Sequence, residues 1–346
     1  MKKIKQILSI TMCIITCCGL FGCSGNSAQT KVNPEDFRVT AYLVCGDGVD
    51  INSFDSTHAG QITDFILFGC ATFDESGNLN VSEHIKQWID MLRNACSDKT
   101  RIHLNILGPG SQSTSSDWNE QMADLAQRHT TAFESGVLEQ NIKSALEQYQ
   151  LDGVFFDYEF SIEYKYWMAY NNFIVSLDEC LGNDYKIGMA LASWDLGENK
   201  NARQATDFIT LMSYDLWDEN GNHSTTSIAR DDIKKARKAG YDMSKVDLGI
   251  PFYARPTTRE GYWYSYKDYY TNVDDMGLFT DEGNTGLVFS FNTPDVVKEK
   301  SDLAIKEGMG GVMVWHYACD VPADNGESLF NAISQSKQQA IDNISE

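Results

Sequence analysis

From residue 37 onward, short runs rich in β-branched and aromatic residues alternate with longer stretches whose apolar positions recur every three or four residues. The runs are Arg38–Cys45, Thr63–Gly69, Arg101–Leu107, Leu151–Glu159, Tyr185–Ala192, Asp207–Tyr214, Val246–Tyr253 and Gly311–Tyr317. Several are apolar on both alternating faces, as in Phe65-Ile66-Leu67-Phe68 and Val312-Met313-Val314-Trp315, which suits strands enclosed between a barrel interior and a ring of helices. His84–Ala95, Leu138–Tyr149, Tyr166–Cys180, Asp231–Ala239 and Pro294–Glu307 read as amphipathic helices, the last with proline near its start. Strand and helix alternating in this way predict an α/β fold, a single-domain (β/α)8 TIM barrel. A doubly wound sheet is the competitor, but Gly46-Asp47-Gly48 is followed by nothing that completes a phosphate-binding fingerprint. No repeat, low-complexity tract or internal linker divides residues 37–343, so they read as one domain.

The first residues follow another pattern. Lys2, Lys3 and Lys5 precede an apolar run from Ile7 to Phe21, the layout of a secretory signal. The run is about 15 residues, short of the ~20 that a spanning helix needs. Leu20-Phe21-Gly22-Cys23-Ser24 resembles a bacterial lipoprotein signal, which implies cleavage before Cys23 and lipid attachment to it. An ordinary signal cleaved after Gly22 or Ala28 is the alternative. Residues 1–22 are thus expected to be the signal and 23–36 a polar tether. The protein is expected to be exported and lipid-anchored at the bacterial surface, on the outer membrane or the outer face of the cytoplasmic membrane, or else secreted. Its contact with the membrane would be through the lipid alone.

Beyond the signal region, Cys45, Cys70, Cys96, Cys180 and Cys319 remain of nine cysteines, without metal-type spacing. They are expected to act as small buried hydrophobes. A Cys45–Cys70 bridge requires that their strands be neighbours. The charge balance narrows the partners: 49 acidic against 28 basic side chains leave no basic face for nucleic acid and disfavour polyanionic substrates. With 42% hydrophobic and 12% aromatic residues, the chain carries a sizeable core.

Candidate chemistry lies in the fourth run, Leu151-Asp152-Gly153-Val154-Phe155-Phe156-Asp157-Tyr158-Glu159. Side chains alternate along a strand, so Gly153, Phe155, Asp157 and Glu159 share one face. If that face points inward, two carboxyls stand at the C-terminal mouth of the barrel, roughly 6.5 Å apart along the strand. Like charges at that distance raise each other's pKa, and an apolar surround adds to the effect, so one carboxyl can stay protonated as a general acid. Two solvated strand-end carboxylates are the plainer alternative.

Asp152-Gly153 followed by Asp157 and Glu159 resembles the D-G-x-D-x-D-x-E signature of glycoside hydrolase family 18, the chitinases and endo-β-N-acetylglucosaminidases. Three further matches follow in order. Met212-Ser213-Tyr214-Asp215 is similar to the family's M-x-Y-D, Gly249-Ile250-Pro251-Phe252-Tyr253-Ala254-Arg255 to its G-x-P-x-Y-x-R, and Gly310-Gly311-Val312-Met313-Val314-Trp315 to its G-G-x-M-x-W. Asn105-Ile106-Leu107-Gly108-Pro109-Gly110 is a degenerate version of its S-x-G-G.

The resemblance implies roles for these residues. Glu159 would protonate the leaving oxygen, while the substrate's own 2-acetamido carbonyl attacks to form an oxazolinium ion, an exception to the two-carboxylate scheme. Asp157 would hold the acetamido N–H and stabilise the developing charge, and Tyr214 would hydrogen-bond the acetamido carbonyl. Asp215, Met212, Tyr253, Arg255 and Tyr42 are expected among the substrate contacts, with Trp315 as the indole floor under the sugar. Without the family, Trp315 would read as barrel core, Tyr214 as a core phenol and Arg255 as a solvated strand end. Phe155 departs from the signature by standing where its first Asp belongs. The resemblance implies that Asp157 there loses a charged neighbour and is more desolvated, so that the site is tuned differently.

The aromatic stretch Tyr262-Trp263-Tyr264-Ser265-Tyr266-Lys267-Asp268-Tyr269-Tyr270 suits either stacking platforms for sugar or packing of a loop onto the barrel. The segment from Arg255 to Gly310 reads as too short for a large insertion domain, which predicts an open cleft. The six histidines form no zinc spacing and no G-x-S-x-G elbow exists, so neither metal nor cofactor is expected. Asp215, Asp218, Asn220 and Gly221 read as a polar turn rather than a calcium loop. The expected partner is an N-acetylglucosamine-containing glycan, bound by a monomer. Three outcomes stay open: hydrolysis of β-1,4 bonds beside N-acetylglucosamine in chitin or N-glycans, cleavage of peptidoglycan or spore cortex, and glycan capture with little or no turnover.

Overall fold

The computed structural model describes residues 32–159 and 163–345. The expected signal, Cys23 and most of the tether lie outside those residues. Eight parallel strands form the centre: β1 (Arg38–Val44), β2 (Asp64–Phe73), β3 (Arg101–Leu107), β4 (Gly153–Asp157), β5 (Lys186–Ala192), β6 (Phe208–Met212), β7 (Val246–Pro251) and β8 (Gly311–Trp315). Each pairs with the next, and β1 pairs with both β2 and β8, so the sheet closes as a TIM barrel in one domain. Gly249 marks a close approach of two strands: a Cβ there would lie 2.5 Å from Leu211 O and 3.0 Å from the Tyr214 ring. Only glycine lets β7 approach the end of β6 so closely.

Helices surround the strands. Leu138–Tyr149 falls where the periodicity put it, and Ile85–Ala95 and Pro294–Lys306 differ from expectation by a residue at one end. Tyr164–Leu181 and Thr226–Lys238 begin earlier than expected, the second because Thr225 caps it by accepting from the Ile228 N–H. Trp118–Phe133, Lys200–Ala205 and Leu329–Ser345 are helices that the periodicity did not single out. Pro34–Asp36, at the end of the expected tether, forms a short 3-10 turn with Pro34 buried.

The stretch after β7 is more structured than a loop. Tyr253–Pro256, Tyr264–Ser265, Leu278–Thr280 and Val288–Ser290 form a small antiparallel sheet. Tyr264 stacks on Phe289 with centroids 4.1 Å apart and on Tyr269 at 4.5 Å, and Tyr266 is buried. Most of the aromatic stretch therefore packs this sheet. Cys45 and Cys70 are joined across β1 and β2, with Cα atoms 6.0 Å apart. Cys319 is buried as expected, whereas Cys96 and Cys180, at the ends of surface helices, are only half-buried.

The N-terminal end of the barrel is plugged by ion pairs. Asp64 accepts from Arg101 Nε at 2.6 Å and Nη2 at 2.7 Å, and lies 2.8 Å from His103 Nε2. Across the interior, Asp247 accepts from Arg38 and from the Thr40 hydroxyl. Above this layer Tyr42, Ile66, Phe155, Phe208, Met212 and Met313 form an apolar plug beneath the mouth.

Candidate active site

Along β4 the inward positions are Gly153, Phe155 and Asp157, and Glu159 follows just past the strand end. Asp157 is half-buried below the exposed Glu159, and although their backbones are two residues apart the carboxyls hydrogen-bond to each other. Both are held above the ordinary carboxylate range. For Asp157 the causes are burial, then the charge of Glu159 and the hydrogen bond to it. For Glu159 burial raises the pKa and the Asp215 charge adds to it, while the bond from Asp157 pulls the other way. The pair behaves as one unit holding a shared proton near neutral pH. The Asp157 Oδ1 atom is enclosed and accepts no hydrogen bond from the described residues.

Phe155 lies directly under this pair, fully buried, edge-to-face with Tyr42 at 5.6 Å and 5.6 Å from Phe208. Apolar surface thus stands where a carboxyl would have been, and burial becomes the leading cause of the Asp157 shift. Tyr42, expected among the substrate contacts, is only 1% exposed. It lies below the carboxyls beside Thr210, and burial and the Asp157 charge hold its phenol protonated. Its place is the floor of the site, because the inward direction at the middle of β1 points into packed rings and not into the cleft.

Past the end of β6, Tyr214 is buried, and burial with the charges of Asp157, Glu159 and Asp215 keeps its hydroxyl protonated and able to donate. Asp215 adopts a left-handed backbone, φ 54°. Its carboxylate accepts from the Tyr253 hydroxyl at 2.8 Å and from Arg255 Nε and Nη2, each at 2.8 Å. Burial alone would raise its pKa, but the bonds from Arg255 and Tyr253 hold it well below the usual range. Tyr253 and Arg255, expected as substrate contacts, are thus tied to Asp215 first. Met212 lines the wall within the inner cluster.

Trp315 ends β8 half-buried, edge-to-face on Tyr42 and Phe68, both at 4.9 Å, so its indole is fixed as a floor. Trp263 stacks on Tyr253 at 5.3 Å and lies parallel to the His316 ring at 5.8 Å. Of the aromatic stretch it is Trp263 that joins the wall, with Tyr262 exposed beside it.

A protonated carboxyl pair, a donor phenol and an indole floor around one barrel mouth are the furniture of glycoside cleavage. The model of glycosyl hydrolases family 18 matches residues 49–320. The chain belongs to that family. This family 18 member is 25% identical over 181 residues to Endochitinase 1 of Metarhizium robertsii, a match covering 40% of this chain and 43% of that relative's length. Among solved structures it resembles the GH18 chitinase from the chitin utilization locus of Flavobacterium johnsoniae, with TM-score 0.68, 23% identity and coverage of 88% of this chain and 94% of the other. It also resembles the Bacillus cereus spore cortex-lytic enzyme, with TM-score 0.63, 17% identity and coverage of 87% and 74%. The family 18 chain folds as a barrel of the same architecture.

One group in the site carried no signal in the motifs. His223 Nε2 lies 3.0 Å from the Asp215 N–H, at the far side of the turn that leaves β6. A lone histidine in a polar turn reads as solvated, and only the folded loop brings it under Asp215.

Proposed function

We propose that this glycosidase hydrolyses β-1,4 bonds next to N-acetylglucosamine with retention, the substrate's 2-acetamido group serving as nucleophile. What supports it most directly is the placement of the Asp157 and Glu159 carboxyls together at the end of β4 beside the buried Tyr214 phenol, where burial and their mutual charge favour keeping a proton on the pair. Glu159, the outer and more accessible of the two, delivers the proton to the leaving oxygen. Asp157 then faces the acetamido N–H, Tyr214 donates to its carbonyl, and no second carboxylate attacks. The acetamido oxygen bonds to C1 as the protonated leaving oxygen departs, and water then opens the resulting oxazolinium ion from the face the leaving group vacated, so two inversions give retention. Trp315 carries the apolar face of the sugar. Asp215, held ionised, steadies positive charge at the mouth.

The test is reducing-end release from chitooligosaccharides, peptidoglycan and N-glycans, with the anomer of the first product read by NMR. Retention and loss of release in Glu159→Gln are expected; unchanged turnover in that variant would falsify the mechanism. The spore-cortex enzyme among the structural neighbours makes peptidoglycan a polymer to include in that panel. Phe155 favours a second reading, glycan capture without turnover: binding without cleavage in both the wild type and Phe155→Asp decides for it. We also propose that the enzyme is exported and held at the cell surface by lipid on Cys23, which the lysine-rich, apolar N-terminal sequence supports. Cys23→Ala is then expected to shift the protein from the membrane fraction to the medium.

A further inference from the structure

The turn carrying Tyr214 and Asp215 is held by groups that take no part in the reaction scheme above. Asp215 and Ser224 both have left-handed backbones, φ 54° and 50°, a conformation that side chains with a Cβ resist. Between them the chain doubles back, with Trp217 bridged to His223. The Asp215 N–H donates to His223 Nε2 at 3.0 Å. An amide N–H can only donate, so Nε2 presents its lone pair and the ring proton sits on Nδ1. The same Nε2 lies 3.4 Å from Asp215 Oδ1. A protonated imidazole would therefore turn to the carboxylate and abandon the amide.

The His223 backbone is itself fixed. Its N–H donates to Ser290 Oγ at 3.1 Å, and its carbonyl accepts from Asn292 Nδ2 at 3.4 Å. Lys300, fully buried in the helix Pro294–Lys306, donates to the Ser224 carbonyl, to Ser224 Oγ at 2.9 Å and to Asn292 Oδ1 at 2.6 Å. Three acceptors meet the three ammonium protons, and none is a carboxylate. Ser224 Oγ in turn donates to the carbonyl of Ser213, next to Tyr214, at 2.6 Å. Burial pulls the Lys300 pKa down to about 7, and the three acceptors that match three ammonium protons favour the charged form that closes this turn.

We propose that Lys300 and His223 are positioning residues of the active site: the Lys300 ammonium clamps the Ser224 turn so that a neutral His223 accepts from the Asp215 N–H, which sets Tyr214 and Asp215 against the substrate. The inference rests on the hydrolase reading for its kinetic arm. The charges that bear on His223 are Asp215 from its own turn, Arg255 from the strand Tyr253–Pro256 and Lys300 from the helix. Burial and the two cations keep the imidazole neutral against the pull of Asp215. Asp232 and Glu299 are the carboxylates that bear on Lys300.

Four variants and one spectrum test this. His223→Leu is expected to lower kcat by about 10- to 100-fold with KM within about threefold, the signature of misplaced groups in an intact cleft. His223→Gln, whose amide oxygen can accept the Asp215 N–H, is expected to recover kcat to within about fivefold of wild type. Lys300→Met and the milder Asn292→Ala, which removes one acceptor of the ammonium, are each expected to lose kcat in ways that do not add to His223→Leu. Equal kcat for Leu and Gln at 223, or additive losses with either partner variant, overturns the clamp. The 15N spectrum of the full-length wild type needs no turnover: a neutral His223 protonated at Nδ1 between about pH 5 and 8 supports it, and an Nε2-protonated or charged ring overturns it. If the wild type cleaves no glycan, the hydrolase reading fails and the spectrum still decides the clamp.

Discussion

The two ends of this barrel hold buried carboxylates in opposite company. At the N-terminal end Asp64 sits between Arg101 and His103: burial would raise its pKa, but the hydrogen bonds from both partners hold it well below the ordinary range. Asp247 opposite has Arg38 and Thr40, and burial still leaves it somewhat raised. At the C-terminal mouth Asp157 and Glu159 have each other in place of cations, and both are raised. The same side-chain chemistry therefore serves cohesion at one end and suits the proton transfer proposed at the other. What differs most is the partner. Opposite charges lock the strand starts together, and like charges at the strand ends store a proton at a cost in stability.

The largest effect that tests this contrast is on turnover. Glu159→Gln is expected to lower kcat by about 10²- to 10⁴-fold, the range for losing a general acid, without lowering the melting temperature, because the amide leaves Asp157 without a like-charged neighbour. A clear loss of stability in that variant would mean that the mouth is held together by its carboxyls. Asp64→Asn is expected to do the reverse. It leaves the partly exposed Arg101 and the buried His103 without their anion and destabilises by about 1.5–3 kcal/mol, measured by denaturant unfolding, while the folded fraction keeps its kcat.

The mouth was the more legible end in the sequence. Strand alternation put Asp157 and Glu159 on one face, and the ordered family motifs gave them and Tyr214 a role, since Tyr214 alone reads as a core phenol. Strands such as Val312-Met313-Val314-Trp315 were legible because burial on both sides removes polar residues from them. The plug at the other end was not: Asp64 and Asp247 look like polar strand starts until the barrel closes and brings Arg101 and Arg38 to them. The helix Trp118–Phe133 escaped because His129 and Thr130 belong to its buried face and blur the apolar stripe. In Lys298-Glu299-Lys300 nothing marks the third residue as the one that is fully buried. The strands after β7 are two to four residues long, too short for an alternation to register.

Acidity and alkalinity should attack the two ends separately. The Asp64 pKa is depressed in the folded state, so its contribution is present above the unfolded-state pKa of about 3.9 and is lost as pH falls through the folded value. Wild type is expected to lose about 2–3 kcal/mol on acidification from this group, and Asp64→Asn to show a flatter acid limb in unfolding measurements. The mouth pair has raised pKa values, so its protonated form is favoured in the fold and is lost as pH rises through them. Activity is expected to fall on the alkaline side as that proton leaves, and the accompanying decline in melting temperature should be smaller in Glu159→Gln.

Asp215 is the residue that can sharpen the contrast furthest, because it lies at the mouth but is partnered like the plug. Arg255 grips it with two hydrogen bonds of 2.8 Å, and Tyr253 adds a third. Arg255→Lys keeps the charge and gives up the planar fork, a loss of about 1–1.5 kcal/mol. The Asp215 carboxyl should then move up toward the ordinary range, and its anion should be lost at a higher pH than in wild type. The expected result is a change in kcat/KM within about tenfold at neutral pH, with the acid limb of the rate profile displaced upward. An acid limb that does not move would mean that Asp215 is held ionised by the Tyr253 hydroxyl and a plain ammonium as well as by the guanidinium fork. A loss far beyond tenfold would mean that Arg255 itself meets the substrate, so that pairing at this end of the barrel serves the ligand as well as the fold.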